Sequence, residues 1–373
     1  MKISIKPFEN DNFLDNIFQR AIFPYRLLQH AVFLSRFAVD NNCIRPHRLP
    51  YLLFSFFGVL LFIGFQFLTS YFVHKKGNQA VINFTDVNVT FLIISFITFY
   101  SINVIYRKDN VAIIVKIQKA YRAVNFRRYK QAIYWNYFGV FRHFVFYSVC
   151  IILMPDVNIA IYFYSIIYFD VYVTYGTSLM SFIRHGVETW ISEVEFYCSI
   201  ETDVEDEANG VFKKLYQAYM DLMDAFCIFK RLFQFSTLYH VVDTFIHSLV
   251  FLQTVIEMNK RDIYVGKYNV RHFAQVAVLW AFKNLLFVSM FSFYCEKFYI
   301  SVTEANAACS RLQKQTNMSK HAKRLCKNVQ RFNRAAFRKM TACNIFTVDA
   351  SMAEMFNRLE VEYIVIVLQF ALL

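Results

Sequence analysis

Three groups of polar residues sit inside stretches that are otherwise apolar, and their spacing limits the chemistry open to them. His240, Asp243 and His247 recur at i, i+3 and i+7, so a helix would carry them on one face. Two imidazoles and a carboxylate in that pattern suit a hydrogen-bonded stripe against a second helix, a ligand contact at His247, or a metal. One helix rarely closes a metal shell alone, and no metal site is expected. Asp170 and Lys283 are single charges in two separate apolar blocks. Such charges mark a pair or a functional site; these two either pair with each other or flank a pocket. Glu354, Arg358 and Glu362 follow at four-residue intervals near the C-terminus, and Gln369 comes seven residues after Glu362. They form i,i+4 pairs along one helix, or they line something polar.

Other chemistry is missing. There is no Gly-rich phosphate loop, no HExxH and no GxSxG, so neither enzymatic activity nor a cofactor is expected. The eight cysteines include no CxxC pair, which removes the common zinc and redox motifs. Asn83-Phe84-Thr85 is an N-glycosylation sequon.

The elements that position these residues follow from the apolar pattern. Of 373 residues, 57% are hydrophobic and 18% charged, against about 45–50% and about 25% in soluble domains. The excess falls in blocks of about 20 residues, the length of a helix that crosses a bilayer core of about 30 Å. Spans are expected at 49–71, 87–106, 137–154, 157–183, 235–258 and 273–294. The final apolar stretch, Val361 to Leu373, is too short alone but becomes a seventh span when extended back to Ala350. That helix then holds Glu354, Arg358, Glu360 and Glu362, so a span here must face protein or water. The expected fold is all-α, a seven-transmembrane helical bundle. It divides into an N-terminal region (1–48), six spans with their loops (49–294), an anchor segment (295–349) and the last span (350–373).

The basic residues orient the bundle. Of the 40 Lys and Arg, 31 fall on the N-terminal side of the spans and six on the other. By the positive-inside rule the N-terminus is cytoplasmic and the C-terminus extracellular. Asn83 then lies in the first outside loop, and no outside loop holds a cysteine. Topology accounts for the net charge of +13, so the expected surroundings are membrane lipid, with no nucleic acid. This orientation excludes a G-protein-coupled receptor. Eight glycines without matched breaks argue against a transporter with paired broken helices. The acidic run 193–207 and the basic run 311–339 are both cytoplasmic and either pair or stay solvated.

The last residues, Glu362-Tyr363-Ile364-Val365-Ile366-Val367-Leu368-Gln369-Phe370, resemble the end of the insect gustatory receptor family. In that family the last span closes with Thr-Tyr, five hydrophobic residues and Gln-Phe. Tyr363, Gln369 and Phe370 match, and Glu362 replaces Thr. Upstream, Asn344-Ile345-Phe346-Thr347-Val348 resembles the family's Gly-x-Phe-x-hydrophobic pattern, with Asn for Gly. The resemblance implies a ligand-gated cation channel, a tetramer with one pore lined by the last span. Extensions of spans four to seven would form an anchor between subunits, and each subunit would bind a tastant in its outer half. Partners would be identical subunits or other gustatory receptors, in the plasma membrane of gustatory neuron dendrites. The alternative is a non-conducting chemosensory receptor that acts through partner subunits.

On the channel reading, Val365 and Leu372 constrict the pore, Gln369 offers amide oxygens to a hydrated cation, and Glu362 forms an acidic ring. Tyr363 and Phe370 pack against the subunit. The pocket draws on Tyr147, Tyr162, Asp170, His247, Phe251, Gln275 and Trp280, with Phe91 and Tyr164 as further candidates.

Overall fold

Inside a bilayer the backbone must satisfy its own hydrogen bonds, and an apolar block of about 20 residues does so as a helix. The computed structural model describes residues 12–76, 79–124, 129–153, 157–199, 205–261, 270–315 and 318–372. Its elements are α1 (Asn16–Ala31), β1 (Ala38–Asp40), β2 (Cys43–Arg45), α2 (Leu49–Lys76), α3 (Gln79–Ile105), α4 (Arg107–Ala123) and α5 (Tyr129–Leu153). They continue with α6 (Val157–Ser199), α7 (Glu205–Arg261), α8 (Val270–Gln313), α9 (Lys320–Ala336), β3 (Thr341–Ala342), β4 (Phe346–Thr347) and α10 (Ala350–Leu372). Among the described residues six helices are long and apolar enough to cross a membrane: α2, α3, α5, α6, α7 and α8. α10 is not one of them, although it is 23 residues long. Its first half carries Glu354, Arg358, Glu360 and Glu362.

The helices overrun the expected spans. α6, α7 and α8 have 43, 57 and 44 residues. At about 1.5 Å per residue each is roughly 65–85 Å long, at least twice a bilayer core. Their far ends gather with α4 and α9 into a second packed region. There the Trp190 ring lies 4.7 Å from Tyr219, and its indole donates to the Leu215 carbonyl at 2.8 Å. Tyr219 donates in turn to Asn333 at 2.9 Å. The acidic and basic runs meet through Arg311 and Glu195 at 2.9 Å. Lys339 instead joins Glu296 and Asp349, at 3.4 and 3.2 Å.

Helix also replaces expected loop. The segment assigned to the first outside loop is mostly the end of α2 and the start of α3, so Asn83 falls within a helix. Polar residues there cost a helix little once it has left the apolar layer.

Two short antiparallel hairpins were invisible to the apolar pattern. Each turns on two residues with positive φ: Asn41 and Asn42 (50° and 61°), and Cys343 and Asn344 (49° and 62°). Such a turn requires left-handed backbone at both centres, which Gly and Asn adopt most readily. Asn344 holds one of these left-handed positions, which suits Asn as it would Gly.

Candidate functional site

Four helices converge on one buried charge pair. Lys283 Nζ of α8 lies 2.7 Å from Asp170 Oδ2 of α6, and both side chains are at most 6% exposed. Tyr147 of α5 donates its hydroxyl to the same carboxylate oxygen at 2.5 Å. The ammonium also sits 3.7 Å from the centroid of the Trp280 ring. A cation held by one carboxylate and an aromatic face is stabilised where bare burial would be prohibitive.

α7 supplies the facing wall. Tyr239 donates to Asp243 Oδ1 at 3.1 Å, and His247 Nδ1 lies 3.0 Å from the same carboxylate. The His247 ring is 5.7 Å from Phe251 and 6.4 Å from Trp280. His240 stacks on Phe287 of α8 at 6.1 Å. The expected stripe of His240, Asp243 and His247 therefore faces α8. Phe163 stacks on Trp280 at 6.1 Å and tilts against Tyr147, also at 6.1 Å.

Six of the residues expected to line a pocket fall in this neighbourhood: Tyr147, Tyr162, Asp170, His247, Phe251 and Trp280. Tyr162 also accepts from Asn88 of α3 at 3.1 Å, and Phe91 stacks on Tyr239 at 5.1 Å. Two others lie apart. Gln275 is exposed on α8, and Tyr164 donates to the Ala31 carbonyl at the bundle edge. The aromatic rings of the cluster interlock. A small cavity of about 10 Å³ lies nearby, lined by Ser236, His240, Val288 and Met352 among others.

Several buried polar atoms here have no hydrogen-bond partner among the described residues: both ring nitrogens of His240, Nε2 of His247, Nε1 of Trp280 and both amide atoms of Asn284. Over 90% of buried polar groups in proteins are satisfied, so this concentration marks a place that water or a ligand completes. Sequence reasoning passed over Asn284. Its signal was a second polar residue directly after Lys283 in an apolar span.

The last helix is two-faced. Met352, Phe356 and Glu360 are buried at four-residue intervals. On other sides of α10, Glu354, Arg358, Glu362, Val365 and Gln369 are exposed. Arg358 Nε pairs with Glu362 Oε1 at 2.8 Å, with side chains 82% and 54% exposed. The i,i+4 pair therefore forms, and it stands on a face that the single chain leaves open. Tyr363 packs edge-on against Phe245 of α7 at 5.2 Å. The side chains of Asn83, Phe370 and Leu372 lie outside the described residues. Glu360 was not singled out by its spacing. It is 2% exposed, neither carboxylate oxygen has hydrogen-bond geometry to a described group, and Ser248 of α7 faces it.

No family model and no curated protein sequence matches the chain. Its fold is similar to the solved structure of the insect olfactory receptor OR5 from Machilis hrabei in complex with eugenol. The TM-score is 0.63 at 12% identity, over 95% of this chain and 97% of that one. The likeness is one of fold, an all-helical architecture in which six described helices are long and apolar enough to cross a membrane.

Proposed function

We propose that the protein is a gustatory-type chemosensory receptor, a ligand-gated non-selective cation channel opened by a tastant. The observation that carries this reading is the exposed face of α10. A helix with one buried apolar face presents Glu354, Arg358, Glu362 and Gln369 outward. Lipid does not tolerate such a face. Four copies around an axis would give it water, with Glu362 as an acidic ring and Gln369 toward the outer mouth. On this reading α10 is the seventh span, the N-terminus is cytoplasmic, and the protein sits in the plasma membrane of gustatory neurons as a homo- or heterotetramer. No enzymatic step is involved.

The tastant would bind between α5, α6, α7 and α8. The similar receptor was solved with eugenol, and a small aromatic or polyhydroxy molecule suits interlocking rings with orphaned donors and acceptors. Ligand entering beside Trp280 and His247 displaces α7, and α7 touches α10 through Phe245–Tyr363 and Ser248–Glu360. That contact is the route from pocket to pore.

Purified protein in liposomes tests the proposal. Ligand alone should release a trapped cation, and Gln369→Ala should alter the ratio of permeant ions. Ligand binding without flux would support the non-conducting receptor instead. An epitope placed after Leu373 should be reachable on intact cells.

A further inference from the structure

Between α5, α6 and α8 two cavities of about 120 and 180 Å³ share Trp135, Asn136, Ser178, Ser181 and Tyr294, and so form one crevice. It opens sideways. α5 is the least enclosed of the apolar helices, with 22% of its apolar stretch buried. Trp135 and Phe138 at the lip are 55% and 46% exposed.

The inner wall is polar and cationic. Hydroxyls of α6, from Thr174 to Ser181, lead along the crevice to Arg184 and His185. Arg142 of α5 occupies the other end, with its guanidinium 5.0 Å from the Phe287 ring. Among the described residues no carboxylate pairs with Arg142, and its Nε has no hydrogen-bond partner. Arg184 lies 5.7 Å from the Tyr294 ring and pairs with Glu188 at 3.2 Å, and His185 lies 2.9 Å from the same carboxylate, so Arg142 is the cation without a carboxylate partner among the described residues. Phe287 and Tyr294 are seven residues apart, roughly 10 Å along the α8 axis. Among the described residues no Asp or Glu lines either cavity.

A cation inside an apolar span requires a counter-charge, and among the described residues no carboxylate pairs with Arg142, whereas Arg184 and His185 share Glu188. Because it opens to the bilayer, the molecule that reaches it carries an anionic group and an apolar tail together. We propose that the crevice binds one anionic glycerophospholipid. Its phosphodiester lies on Arg142, its head group extends toward Arg184 and His185, and an acyl chain leaves across Phe138. Trp135 and Tyr294 suit the boundary between head group and chain. The proposal depends on the bundle lying in a bilayer, and on neither a conducting pore nor a tastant.

Full-length protein in nanodiscs tests it. Phosphatidylcholine discs receive graded phosphatidylglycerol with brominated chains, or brominated phosphatidylcholine, and tryptophan fluorescence is followed. Subtracting the Trp135→Phe signal isolates quenching at the lip. Brominated phosphatidylglycerol should reach half-effect at a mole fraction about fivefold below brominated phosphatidylcholine, as one basic residue near a surface provides. In an Arg142→Gln, Arg184→Gln double variant the two lipids should coincide, whereas Arg142→Lys should keep the preference. Equal quenching by both lipids in the unsubstituted protein would mean ordinary boundary lipid and overturn the proposal. So would a preference untouched by the double variant, or displacement of the bromolipid by soluble glycerol phosphate, which would make the ligand a free anion. The comparison of two lipids on the unsubstituted protein needs no variant, so it decides even if the double variant does not fold.

Discussion

Asp170–Lys283 and Arg358–Glu362 are ion pairs of nearly equal length, 2.7 and 2.8 Å. Their surroundings are opposite. The first is enclosed by Tyr147 and Trp280 with side chains at most 6% exposed. The second stands on the open face of α10, 82% and 54% exposed. Distance therefore says little about what a pair does. In the enclosed pair each charge exists because the other does, and removing one strands its partner where water cannot reach. In the open pair each charge already has solvent, so the pair decides which face α10 shows and adds little to folding.

Lys283→Ala puts that contrast to its strongest test. Asp170 would be left buried and unpaired, at a cost of roughly 3–5 kcal/mol, read as loss of monodisperse protein and a large fall in Tm. Replacing both residues, Asp170→Leu with Lys283→Met, should recover most of the loss, because the double change removes both desolvation penalties. A single variant as stable as the parent would break the comparison.

Glu360 sharpens it, being as buried as Asp170 but without a cationic partner. Glu360→Leu should raise stability by about 1 kcal/mol, since it removes an unsatisfied buried group, whereas Asp170→Leu alone should lower it by stranding Lys283. Melting both proteins in the same detergent compares them directly.

Outside the spans, His47 extends the lesson to pH. Burial, helped by the nearby charges of His30 and Arg26, lowers its pKa to about 4. The folded state thus holds the neutral ring, and its contribution is complete above the ordinary value of 6.5. As pH falls from there toward 4, the unfolded chain gains a proton that the folded chain refuses, and stability declines. A melting series across that range should slope downward toward acid, and His47→Gln should flatten it.

Arg358→Gln is the smallest of these perturbations. The melting temperature should not move measurably in any salt, while ion permeation through reconstituted protein should change. A fall in Tm would mean that the α10 face is covered within a single chain.

Much of the architecture was legible because it depends on local chemistry. Six of the expected spans coincide with apolar helices, since length and apolarity suffice to specify a helix in lipid. α1 and α4 were not legible. Their apolar residues fall on one face only, among charges, and that face acquires meaning only when α5 covers α1 and α7 covers α4. The overrun of α6, α7 and α8 was foreshadowed by family resemblance but not by hydropathy, because beyond the spans their sequences look like ordinary polar helix. Gln275 was expected in the pocket from its span alone, and its exposed position depends on the rotation of α8.

The amino-acid order alone fixed which apolar blocks are helical and which residues are out of place among apolar neighbours. Asp170, Lys283, His247 and Glu362 all declared themselves as polar residues in hydrophobic stretches. Partnership was decided only by the tertiary structure. Asp170 and Lys283 are 113 residues apart in the chain and 2.7 Å apart in the fold. Glu360 and Glu362, two residues apart, point to opposite environments. Periodicity fixes a residue's angle on its own helix, but whether that angle meets a cation, a serine or open space depends on how the helices pack.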